Sequence, residues 1–84
     1  MKWIEIRHQY PNKFILIGDV EEERITDDSF RVIGGNVLMA TDEPRQLFNA
    51  YKEHKKRGEN VIYCLPVTPD EFIVEEMPFL GILQ

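Results

Sequence analysis

Residues 3–9 alternate bulky and polar side chains, so that an extended chain would point Ile4, Ile6, His8 and Tyr10 one way and Trp3, Glu5, Arg7 and Gln9 the other. A period of two over such a stretch predicts a half-buried strand. Pro11-Asn12 supplies turn chemistry. Residues 13–20 then read as a second strand, apolar on both faces at Phe14-Ile15-Leu16-Ile17 and therefore interior to a sheet, the pair forming a hairpin. The polar run Glu21-Glu22-Glu23-Arg24 leads to Ile25, which continues the strand past a bulge at Gly18.

Thr26-Asp27-Asp28-Ser29 is a second turn cluster. Residues 30–33 and 37–40 predict two short strands joined by a tight hairpin loop at Gly34-Gly35-Asn36, residues that accept positive φ. A single long strand with a glycine bulge in its middle is the alternative. Thr41-Asp42-Glu43-Pro44 carries the signals of a helix start: capping oxygens, acids in the first turn, and proline at the first helical position. Leu47, Ala50, Tyr51 and His54 recur at i, i+3, i+4 and i+7, with Phe48 widening the stripe. Gly58 supplies the stop, and Lys52, Lys55, Lys56 and Arg57 gather where the helix dipole is negative.

Residues 61–65 have the β-branched and aromatic content of a buried strand, which Pro66 ends. Thr68 and Glu71 have capping-box spacing, but Phe72-Ile73-Val74 favours extended chain. One helical turn at most and then a short strand are expected. The chain closes on Met77-Pro78-Phe79-Leu80-Gly81-Ile82-Leu83, an apolar C-terminal tail over residues 77–84.

The expected fold is thus a single α+β domain over residues 1–84, in the order β-β-β-β-α-β-β: a small antiparallel β-meander with one α-helix packed on one face. A helix of about fourteen residues is roughly 21 Å long and covers only part of a sheet. The other face, carrying Trp3, must be covered by the tail, by a second copy or by a partner.

Composition narrows the function. At 84 residues, a chain buries only about 60% of its unfolded surface, so one core is all it can sustain. Fifteen acidic residues against ten basic ones give a net charge of −5, the wrong balance for a domain that replaces counterions along phosphates. No nucleic-acid partner is expected, and the basic group at the helix end is explained by the dipole. No run approaches the roughly 18 to 20 apolar residues of a membrane span, and the start lacks the apolar stretch of a signal peptide. With one cysteine, Cys64, no internal disulfide can form. A cytoplasmic protein with no membrane partner is expected.

The residues able to carry chemistry are few. His8, His54 and Cys64 are the soft metal ligands and the conceivable nucleophile and base. Cys64 lies in the most apolar strand, where free cysteine packs as a small hydrophobe. Both histidines fall on packed faces, and no HExxH, GxSxG, phosphate-loop or dinucleotide motif is present. The acidic cluster Asp19, Glu21, Glu22, Glu23, Asp27 and Asp28 lacks the ordered spacing of a calcium loop. No catalytic residue, metal site or cofactor is expected.

Trp3-Ile4-Glu5-Ile6, Tyr10-Pro11-Asn12-Lys13-Phe14-Ile15-Leu16, Val32-Ile33-Gly34-Gly35 and the stretch from Phe72 to Ile82 resemble a group of short uncharacterised bacterial proteins. The resemblance implies a bacterial, intracellular origin and transfers no functional residue. The expected function is therefore a non-enzymatic protein-interaction or regulatory module, acting as a homodimer or in a small complex. Trp3, Phe79, Leu80, Ile82 and Leu83 are the interface candidates. The alternative is small-ligand binding in a cleft between helix and sheet, near His54, Tyr51 and Tyr63.

Overall fold

The structure, a computed structural model, describes residues 1–75. Six elements follow in the order α1 (Trp3–Gln9), β1 (Phe14–Thr26), β2 (Ser29–Thr41), α2 (Pro44–Lys56), β3 (Val61–Cys64) and β4 (Ile73–Glu75). The strands form one antiparallel sheet in the order β3-β1-β2-β4. The α+β class and the antiparallel sheet match expectation, whereas the helix count and the element order do not.

The first correction is at the amino end, where residues 3–9 form a helix and not a strand. Trp3, Ile6, Arg7 and Tyr10 fall at i, i+3, i+4 and i+7, so the segment also satisfies the helical period. A strand would send Trp3 and Ile6 to opposite faces. The helix buries both, at 4% and 0% exposure. Glu5 supports the first turn by accepting the Lys2 backbone N–H at 3.0 Å.

The second correction concerns Gly34-Gly35-Asn36, which is no turn. One long strand, β2, runs through it, as in the alternative reading. Lys2 bridges Gly34, and Gly35 N–H donates to the Met1 carbonyl at 2.9 Å. A Cβ on Gly34 would lie 2.3 Å from that same carbonyl oxygen. Glycine is needed there because another backbone passes, not because the chain reverses. β1 likewise continues to Thr26 past an irregularity after Gly18, where Asp19 takes φ 47° and accepts a hydrogen bond from the Asn36 amide at 2.9 Å.

The first part of β1, Ile15 to Gly18, is buried on both sides, as its sequence requires, whereas most of the strand beyond it is exposed. Ile15 and Ile17 pack with Trp3, Ile6 and Cys64 beneath α1. Leu16 packs with Leu47 and Val61 beneath α2, joined by Met39, Ala50, Tyr51 and Tyr63. The two helices therefore cover opposite faces of the sheet, and the face expected to await a partner is covered by α1. α2 ends as predicted: Gly58, at φ 77°, donates to the Lys55 carbonyl, and Glu59 to that of His54, a Schellman pair.

The connection from β3 to β4 forms no helical turn. Thr68 instead closes a turn on Leu65, its hydroxyl accepting the Leu65 N–H at 2.8 Å and its own N–H donating to the Leu65 carbonyl at 3.0 Å. Arg7 ties this connection to α1 by donating to the carbonyls of Leu65, Pro66 and Thr68. Trp3 Nε1 donates to the Asp70 carbonyl at 2.7 Å, and its ring lies 5.0 Å from that of Phe72.

Candidate interaction surface

β3 and β4 stand at opposite ends of the strand order, yet both line one groove. Ile62, Tyr63 and Leu65, from β3 and its exit, form one side, with Tyr51 of α2 beside them. Phe72 and Val74 contribute from the β4 side, and Thr68 from the connection. The sheet thus curls until its two edges border the same cavity, whose volume is about 360 Å3. Twist in the long β1–β2 ribbon, increased at its register shifts, is the physical source of that curl.

The lining is mostly apolar, and its aromatic end is firmly set. The Tyr63 ring meets Tyr51 edge-on at 5.0 Å and Phe48 at 5.2 Å, and Lys55 Nζ lies 5.7 Å from the Tyr51 ring centre. The Thr68 hydroxyl is already engaged by the backbone, so among the described residues the two tyrosine hydroxyls are the polar side-chain groups of the lining that make no hydrogen bond. Among the described residues no strand pairs with the outer edge of β3, the strand whose Ile62 and Tyr63 border the cavity.

Of the interface candidates from sequence, Trp3 lies inside its own chain's core, held by Asp70 and Phe72. Phe79, Leu80, Ile82 and Leu83 lie outside the described residues. Sequence reasoning did not single out Leu65, Phe72 or Val74 as a surface. The exposed Ile25, Ile33 and Leu38 were also missed; each is a residue without a register partner at a shift between β1 and β2. Irregular pairing turns such side chains outward, and no periodicity in the sequence announces it.

The other chemical candidates are placed as follows. Burial pushes the Cys64 thiol up to about 11 against a weak opposing effect of Arg7, so the sulfur is a protonated core atom at neutral pH. His8 is exposed on α1, while His54 Nδ1 lies 2.6 Å from Glu59 Oε1 and outside the groove lining. The basic helix end is likewise engaged, Arg57 binding Glu59 at 2.7 Å. Among the described residues no three His, Cys, Asp or Glu side chains are grouped to hold a metal ion, and no helix is long and apolar enough to cross a membrane. No family model matches the chain, and neither a curated protein nor a solved structure does so.

Proposed function

We propose that this protein is a non-enzymatic interaction module, acting as a homodimer or in a small complex, whose contact surface is the groove between β3 and β4. The observation that carries the reading is the coincidence, at β3, of a strand edge that no described strand pairs with and an apolar cavity lined by Ile62 and Tyr63 of the same strand. Strand addition uses such a pair of features: backbone hydrogen bonds supply affinity, and the cavity receives alternate side chains of the added segment. The occupant chemistry is an extended apolar stretch of polypeptide.

The test is sedimentation of the full chain over a range of concentrations, together with affinity capture, each compared with Leu65→Asp and Val74→Lys. Both substitutions place charge in the groove, and an unchanged far-ultraviolet spectrum would show that the sheet persists. Association lost in both variants is the expected outcome. Association indifferent to both, or absent from the wild-type chain, would end this reading.

A second reading, small-ligand binding, is favoured by one observation: Tyr51 and Tyr63 both reach the groove and leave their hydroxyls available to orient a guest. It predicts a rise in melting temperature with a bound metabolite, by mass action. A flat thermal-shift screen would remove it.

A further inference from the structure

The groove has a size and a grading of polarity that suit one class of small guest. Its volume of about 360 Å3 lies at the lower end of the roughly 300–1,000 Å3 of small-molecule sites. Ile62, Leu65, Phe72 and Val74 make much of the lining apolar, whereas Tyr51 and Tyr63 bring two hydroxyls that make no hydrogen bond among the described residues. No described lining residue carries a charge. A cation stands beside the tyrosines instead. Lys55 follows Tyr51 by one helical turn, and its Nζ lies 5.7 Å from that ring's centre.

Among the described residues Lys55 has no carboxylate of its own, since the ion pairs engage Lys13, Arg31, His54 and Arg57. Glu59, the acid that follows the helix, is held by His54 and Arg57. The negative end of the α2 dipole is blunted as well, because the carbonyls of His54 and Lys55 accept from Glu59 and Gly58. Lys52 and Lys56 are exposed on the same turns and add positive charge.

We infer that the groove binds a small apolar carboxylic acid, its hydrocarbon body against Ile62, Leu65, Phe72 and Val74 and its carboxylate beside Tyr51, Tyr63 and Lys55. This deepens the small-ligand reading of the groove and rests on it. A neutral guest leaves the ammonium unmatched, and a cationic one is repelled by it. Hydroxyls that donate to a carboxylate form stronger bonds than they form with a neutral acceptor, so the two phenols favour the ionised acid as Lys55 does. A bound acid fills the surface that a polypeptide partner would use, and the two occupants exclude one another.

The deciding experiment is a titration of the full chain, at low ionic strength, with octanoate, octan-1-ol and octylamine. These probes share one chain and differ in the charge of the head group, and binding is followed through the methyl and amide resonances of the protein. Shifts centred on Ile62, Leu65 and Val74 are expected, with octanoate bound at least about threefold more tightly than octanol, the scale of an exposed ion pair. Lys55 is exposed on α2, and glutamine forms helix about as well as lysine. In Lys55→Gln the preference for octanoate should therefore vanish while octanol binds as before. Octanoate no tighter than octanol, a preference that survives Lys55→Gln, or shifts centred elsewhere would each overturn the inference. The two readings fail separately. Octanol held in the groove as tightly as octanoate would leave the small-ligand reading standing without the acid, and no binding of any probe would remove both.

Discussion

Glu59 accepts from His54 on one carboxylate oxygen and from Arg57 on the other, at 2.6 and 2.7 Å. The hydrogen bond from His54 and then that from Arg57 hold its carboxyl below the ordinary glutamate value of 4.5. A carboxyl lowered in the folded state favours folding above its unfolded value, and that contribution is lost as pH falls through the folded one. The site is exposed and screened, so the effect belongs to local order at the end of α2 more than to global stability. A carboxyl titration by nuclear magnetic resonance should give a Glu59 midpoint below 4.5, moving upward in His54→Ala. An unchanged midpoint would mean that His54 does not donate. Gly58 beside this pair was legible in sequence, because helix stop signals are local. The pair itself was not, because it depends on where the chain turns after the helix.

At the scale of elements, local signals read α2 well and α1 badly. α2 is long enough for its apolar stripe to repeat, and Pro44 and Gly58 bracket it. α1 has seven residues, over which periods of two and of 3.6 both fit. The two outcomes differ in what Trp3 and Ile6 can reach, and the helix lets both enter one core. β2 poses the same problem, since paired glycines serve a hairpin turn or a close crossing equally well. The crossing makes a definite demand at Gly34, where an added Cβ would meet the Met1 carbonyl oxygen at 2.3 Å. Gly34→Ala should therefore part residues 1–2 from β2 and cost about 1–3 kcal/mol, as overpacking against backbone does. A drop of about 4–8 °C in melting temperature per kcal/mol would report it. A variant as stable as the wild type would show that the crossing is loose.

Across the whole molecule, the β3–β4 connection holds the groove's wall in place, and Arg7 is its main anchor. One guanidinium serves the carbonyls of Leu65, Pro66 and Thr68 while lying 5.6 Å from the Trp3 ring centre. Arg7→Ala strips a charged donor from part-buried carbonyls, and hydrogen bonds of this kind contribute about 1.5–3 kcal/mol. A loss of about 2–3 kcal/mol in denaturant unfolding is expected, with Arg7→Lys intermediate because an ammonium lacks the planar fork. Equal stability of all three proteins would show that the connection is held by Trp3 and Phe72 alone.

What the sequence determined by itself was whatever depends on neighbours along the chain. That comprises the boundaries of α2, the turn at residues 26–29, the two-faced apolar character of β1 and the short strand at β4. The two-faced β1 already required cover on both sides of the sheet. Which segment would supply the second cover was decided by tertiary structure, because Trp3 and Ile6 choose helix only against a core that other strands build. The groove was decided at the same level. It exists because β3 and β4, separated in sequence and placed at opposite ends of the strand order, are brought to one cavity by the curl of the sheet. Curvature of that kind accumulates from twist and register shifts between paired strands, and no property of a single strand's sequence records it.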